Sequence, residues 1–171
     1  MNRSWFTADW HLFHGAILRY CNRPFTNVKE MHDALIWRYN QYVGKNDTCY
    51  FVGDFAMLRK DQVNKLFPIL AQLNGNKILV LGNHDEGKPF TYEKLGFDIV
   101  STACFLPHFP DYVAVHDPAK SIVDETKYFI CGHVHQVFLK IKNILNVGVD
   151  VWNYYPVSFE TVRTYFEKEE D

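Results

Sequence analysis

No run of about eighteen or more apolar residues occurs in this sequence, so nothing in it reads as a membrane-crossing helix. The opening residues, MNRSWFTADWH, lack the apolar block of a secretory leader, which points to a cytoplasmic protein. An excess of basic charge is missing too. Eighteen Lys and Arg face 20 Asp and Glu, for a net charge of -2, so there is no global field of the kind that draws in nucleic acid. An anionic substrate must therefore be attracted locally. Cysteine is scarce: Cys21, Cys49, Cys104 and Cys131 lie far apart without a C-x-x-C pair, the pattern of reduced, buried thiols rather than of a disulfide framework. Internal repeats, linkers and low-complexity segments are absent. With 171 residues, 47% of them apolar, residues 1–171 are expected to form one domain.

What is present is a strand and helix alternation. SWFTA (4–8), TCYFVG (48–53) and KILVLG (77–82) read as short buried strands, each running into polar residues at its C-terminal end. Between the first two, Val28, Met31, Leu35, Tyr39 and Tyr42 recur at helical spacing, with Asn27 as N-cap and Glu30 as its capping-box partner. Val63, Leu66, Phe67, Leu70 and Leu73 mark a second helix, which Pro68 should kink or break. This order predicts an α/β fold with parallel pairing through right-handed crossovers. The second half, with DIVSTACFL, DYVAVH, KYFICGHVH and NILNVGVDV, reads as strands separated by loops, hence a second, partly antiparallel sheet. Ser158 then caps a final helix carrying Phe159, Val162 and Phe166, and the tail EKEED is expected to fray.

Metal-binding side chains gather where these strands end. Asp9 and His11 are two apart after the first strand, and His133 and His135 repeat the spacing, which on a strand puts both members on one face. Asp54 ends YFVGD, Asn83 follows LVLG and His116 ends YVAVH. Seven oxygen or nitrogen donors thus stand at the C-terminal mouths of five predicted strands, where open α/β sheets keep their sites. Each has an ordinary reading as a turn, cap or surface hydrogen bond. Burying the whole set together without a cation would cost several kcal/mol. Seven donors exceed what one tetrahedral ion takes, whereas two ions sharing a carboxylate use them all. The mixture of imidazole, carboxylate and amide suits Mn, Fe, Zn, Co or Ni.

In this order the motifs resemble the calcineurin-like metallophosphoesterase superfamily. FTADWHLFHG, YCNRPF, FVGDF, LGNHD, CGHVH and NVGVDVWNYYPV are especially similar to its short bacterial, archaeal and phage members. The resemblance implies an αββα four-layer fold, a two-sheet β-sandwich flanked by helices. It implies one ion held by Asp9, His11, Asp54 and His135, and another held by Asp54, Asn83, His116 and His133. His84 would face the substrate and assist the leaving oxygen instead of binding metal. Metal-held water falls in pKa to about 7, so hydroxide can attack directly without a covalent enzyme intermediate. The role of Asp85 stays open between orienting His84 and capping the next segment.

Two departures sharpen the reading. Asp54 is followed by Phe55, Ala56, Met57 and Leu58 where the phosphoprotein-phosphatase branch has G-D-x-x-D-R, which argues against a Ser/Thr protein phosphatase. His116 sits in VHDP, with His108 in PHFP as the alternative donor. His14, Arg19 and Arg23 are candidates to reach a substrate phosphate, and Trp10, Phe13, Phe55 and Trp152 to stack on a base. The expected function is that of a dinuclear metal-dependent phosphoesterase, manganese being the first choice of ion. A phosphodiester such as a cyclic nucleotide or a nucleic-acid end is the preferred substrate. A phosphomonoesterase and a non-catalytic metal-binding scaffold are the alternatives, and no membrane partner is expected.

Overall fold

A computed structural model describes residues 2–85, 89–107, 109–120 and 124–167. The chain begins with β1 (Ser4–Thr7), α1 (Ile17–Tyr20), α2 (Val28–Tyr42) and β2 (Thr48–Val52). A 3-10 helix over Lys60–Leu66 runs into α3 (Phe67–Leu70), followed by β3 (Asn76–Val80), α4 (Pro89–Leu95) and β4 (Ile99–Ser101). Then come β5 (Ala103–Leu106), β6 (Phe109–Val115), β7 (Tyr128–Cys131), β8 (Lys140–Ile141), β9 (Ile144–Asn146), β10 (Val157–Ser158) and α5 (Phe159–Glu167).

The strands form two mixed five-stranded sheets flanked by helices, ordered β10-β1-β2-β3-β4 and β5-β6-β7-β9-β8. In the first sheet β1, β2, β3 and β4 are parallel and β10 closes the edge antiparallel. In the second, β6, β7 and β9 are parallel, with β5 and β8 antiparallel at the edges. The α/β fold and the partly antiparallel second sheet are as expected. DIVSTACFL is not one strand, however: β4 joins the first sheet and β5 the second, so the chain changes sheets at Thr102.

The continuous apolar runs of β2 and β3 follow from burial on both faces. Cys49, Phe51 and Leu79 face the helices, packing with Leu35, Tyr39 and Leu66, while Tyr50, Val52, Ile78 and Val80 point between the sheets. There they meet Tyr112, Ala114, Ile130 and Leu145 from the second sheet, and Phe159 and Val162 of α5. Val113, Phe129, Cys131 and Ile144 form a smaller cluster on the far face of the second sheet. Each of these larger side chains contributes about 1.5–3 kcal/mol on removal from water.

Local signals place the helices. Asn27 Oδ1 accepts from Glu30 N at 3.0 Å, as an N-cap should, but the Glu30 carboxylate reaches back to Thr26 N (2.7 Å), one residue beyond the capping-box position. Ser158 Oγ accepts from Thr161 N at the start of α5. Pro68 lies in the first turn of α3, where it needs no N–H partner, and the segment breaks there into a 3-10 and an α piece. The C-terminal ends of β1, β2, β3, β6 and β7 lead into the loops that carry the predicted donors.

Candidate metal centre

Asp9 and His11 lie beyond β1, and His133 and His135 beyond β7, so the pleat of a strand does not align them. A different backbone device does. Asp9, His11, Asp54, His133 and His135 all occupy the left-handed region, with φ of 57°, 49°, 51°, 72° and 45°. Asp and His tolerate this region better than β-branched residues, yet it costs energy that surrounding structure must offset. The offset is visible: Asp9 N donates to Gly53 O, His11 N to Asp54 O and Leu12 N to Phe55 O, each at 3.0 Å, which runs the first loop alongside the second. His133 N donates to both oxygens of the Asp9 carboxylate at 3.0 Å.

Among the described residues these loops form two clusters of side-chain donors, and a third group, Cys21 and Asp150 with the shared His135, lies next to the first. In the first, the ligating atoms of Asp9, His11 and His135 lie within 4.8 Å of one another, and in the second those of Asp54, His116 and His133 do so. Asn83 belongs with the second: its Oδ1 lies 3.0 Å from His116 Nε2 and 2.9 Å from His133 Nδ1. Asp54 Oδ2 stands between the clusters, 3.6 Å from His11 Nε2 and 3.3 Å from His116 Nε2. Two glycines permit this crowding. A Cβ on Gly82 would collide with the Asp54 carboxylate and backbone N, and one on Gly53, at φ +84°, would collide with the His116 ring.

The donor set fits divalent ions. Both ring nitrogens of buried His11 lack any hydrogen-bond partner, although an unsatisfied buried polar atom costs about 1–3 kcal/mol. A cation on one of them relieves that cost. Burial pushes the Asp9 carboxyl up and the His11 imidazole down. Burial also opposes charge on His116, but Asp54 and Asp9 outweigh it and push this imidazole up to about 9. The negative field that would hold a proton there equally attracts a metal ion. His116 Nδ1 donates to Val52 O at 3.0 Å, leaving Nε2 toward Asp54 and Asn83.

Behind the first cluster stands a buried ion pair that the sequence did not announce. Asp150 accepts His135 Nδ1 at 2.7 Å, and Arg23 Nε and Nη2 at 2.8 and 2.9 Å. Burial of His135 lowers its pKa, but Asp150 outweighs that and pushes it up to about 10. Arg23 also donates to the carbonyls of Asp9 and Trp10 and to Met31 Sδ, so its five N–H groups are all spent inside the fold. Arg23 is thus corrected from a substrate contact to a brace, because its guanidinium is buried and paired. The YCNRPF and NVGVDV motifs meet in this pair. Asn146 adds to it, donating to the backbone carbonyls of His135 and Phe138 at 2.7 and 2.9 Å.

Asp85 makes no hydrogen bond to the His84 ring among the described residues, and the segment it was expected to cap begins outside them. Its carboxylate accepts from Gly82 N, Phe55 N and Ala56 N at 2.9, 2.9 and 3.3 Å, clamping the GNHD loop to the GDFA loop. Burial pushes its pKa up to about 6. His84 is half-buried, its N–H donates to Asp54 Oδ1 at 2.9 Å, and its ring centroid lies 5.4 Å from that of His11. His14 stands at the rim, 5.4 Å from His11 and 6.5 Å from His84 between ring centroids. Arg19 is exposed in the last turn of α1. Trp10 and Phe55 are buried and stack on each other at 5.5 Å, so neither is presented as a stacking face, while the half-buried Phe13 packs on His32 and Trp152 on Tyr165, each edge to face. His108 lies outside the described residues.

Two sheets in this order, with histidines and aspartates clustered at converging strand ends, and a match to a phosphoesterase family over most of the chain, define a metal-dependent phosphoester hydrolase of the two-sheet type. Residues 3–147 match the calcineurin-like phosphoesterase family, and the chain belongs to it. It is 34% identical over 179 residues to the uncharacterized protein MJ1445 of Methanocaldococcus jannaschii, covering 98% of this chain and 93% of that protein. It is 29% identical to the Gene 66 protein of Mycobacterium phage L5, over 89% of this chain and 88% of the phage protein. A crystal structure of the protein of unknown function AQ665 from Aquifex aeolicus shares the fold. Its TM-score is 0.76 at 24% identity, covering 96% of this chain and 100% of that one.

Proposed function

We propose that the protein hydrolyses a phosphodiester, a cyclic nucleotide or a nucleic-acid end being the favoured kind, at a dinuclear centre with manganese as the preferred ion. Asp9, His11, Asp54 and His135 would hold one ion and Asp54, Asn83, His116 and His133 the other, in one domain spanning residues 1–171. When bound, such a pair supplies Lewis acidity and brings the pKa of a water down to about 7.

The observation that supports a diester over a monoester is a pair of cavities that meet at His133. One, of about 920 Å³, is lined by His11, His14, His84 and His135; the other, of about 500 Å³, by Gly82, Asn83, His116 and Asp117. A phosphodiester has a substituent to place on each side of its phosphorus. A monoester would need one cavity.

The protein's own residues divide the remaining work. Asp54 lies between the clusters and accepts from the His84 backbone N–H through Oδ1, and the His84 side chain lines the same cavity as His11 and His135, which supports a role toward the substrate. From there His84 gives a proton to the departing oxygen, a contribution typically of about 10²- to 10⁴-fold. Asp85 keeps the two loops in register, and Arg23 with Asp150 holds the His135 ring.

The test is a panel of p-nitrophenyl phosphate, its bis ester and 2′,3′-cyclic nucleotides with added Mn²⁺. Faster turnover of the diesters is expected, and no turnover on any member with metal shown bound would sink the proposal. His84→Ala should lower turnover by about 10²- to 10⁴-fold with metal content intact; loss of both would show that His84 belongs to the donor set.

A further inference from the structure

The larger cavity has an apolar side that the proposed chemistry leaves unused. Beyond His84 and His14 it is lined by Tyr20, Ile17, Met57 and Val137. Three of these are exposed to an extent unusual for apolar side chains: Tyr20 at 73%, Val137 at 82% and Met57 at 40%. They come from different segments, Tyr20 from the end of α1, Met57 from the loop after β2 and Val137 from the loop after β7. Their convergence on one wall of one cavity is a product of the fold.

The rings on that wall form a continuous series. His11 to His84 is 5.4 Å between centroids, His84 to His14 is 6.5 Å, and His14 to Tyr20 is 6.0 Å with the rings at 74°. One end of the series, His11, belongs to the first donor cluster and the other is the exposed phenol ring of Tyr20. A group attached to the oxygen that His84 serves would extend along it.

Resting on the function proposed above, we infer that this wall is a subsite for a planar heteroaromatic group, a nucleobase in particular, on the leaving-group side of the substrate, with Tyr20 as its stacking residue. A flat ring gains from stacking on a phenol and on imidazoles. Val137 and Met57 supply apolar contact, and the thioether of Met57 adapts to ring edges. The wall contains no Lys or Arg among its described lining residues, so recognition falls on the ring and not on a second phosphate. An alkyl arm would gain from the aliphatic residues but not from the series of rings, which is why the heteroaromatic arm is preferred.

Binding tests this independently of turnover. Manganese-loaded protein is titrated by calorimetry with non-hydrolysable phosphonate analogues of adenosine 5′-monophosphate, ribose 5-phosphate and octyl phosphate. The adenosine compound should bind about tenfold or more tightly than the ribose compound, the difference expected from one base stack. Tyr20→Ala should abolish that difference while leaving ribose-analogue affinity and metal content unchanged, and Tyr20→Phe should keep it. Equal affinity of the adenosine and ribose analogues in the unsubstituted protein would overturn the inference. So would a uniform loss for all ligands in Tyr20→Ala, or tightest binding of the octyl compound. Absence of hydrolysis on the ester panel, with the base preference present, would remove the phosphoesterase reading and leave the subsite standing.

Discussion

The two donor clusters are built alike at the front and differently behind. Asp9, His11 and His135 rest on a buried Arg23–Asp150 pair, which also grips the backbone of Asp9 and Trp10. Asp54, His116 and His133 have no such pair among the described residues: His116 leans on the Val52 carbonyl, and His133 is exposed. Second partners of this kind orient a ligand before the ion arrives, and losing one costs about 10- to 100-fold in metal affinity. The braced cluster should therefore bind its ion more tightly, and the exposed one should exchange its ion more readily.

The largest test removes what the clusters share. Asp54→Ala should abolish both ions' binding and reduce turnover to background, read by metal analysis and bis(p-nitrophenyl) phosphate hydrolysis; retention of one tight ion would show that the carboxylate does not bridge. Next, Asp150→Asn should weaken the ion at Asp9, His11 and His135 by about 10- to 100-fold with little change at the other, measured by manganese titration against a chelator. Equal weakening at both would break the comparison. It should also cost stability, because Arg23 is left buried without its charged partner.

The smallest effect is a control far from both clusters. Asp47 accepts from Arg3 N, Gly44 N and Trp5 Nε1 at 2.8, 2.9 and 3.0 Å. Burial alone would push its carboxyl up, but these donors outweigh it and hold the pKa below the usual range. A depressed folded pKa gives stability that is present above the unfolded value of about 3.9 and lost as pH falls through the folded value. Asp47→Asn should lower stability at pH 7 by about 1–3 kcal/mol, with the difference closing in acid and metal stoichiometry unchanged.

Legibility followed the range of the signal. Strand runs, the Asn27 and Ser158 caps and the break at Pro68 depend on neighbours within a few residues, and all are visible in the string. The clustering of Asp9, His11, Asp54, Asn83, His116, His133 and His135 was legible because each follows a strand, and converging strand ends bring them together. The D-x-H and H-x-H spacing was misleading about its cause, since left-handed backbone and not a pleat aligns the pairs. Arg23 and Asp150 are 127 residues apart, and neither carries a local mark of its partner. Asp85 stood open between orienting His84 and capping the next segment, because its bonds to Phe55 and Ala56 reach a loop about thirty residues away in sequence and leave no local mark. Tyr20 passed unnoticed because exposure cannot be read from a helix of four residues.

The left-handed donors have a consequence for how the protein responds to heat. Outside glycine, few residues hold such φ values in an unrestrained chain, so the unfolded protein offers these ligands scattered and in the wrong conformations. An ion that recognises only the assembled loops shifts the folding equilibrium by mass action, about 2.7 kcal/mol at a free concentration one hundred times its Kd. The melting temperature then becomes a gauge of the free metal around the protein, climbing with the logarithm of its concentration.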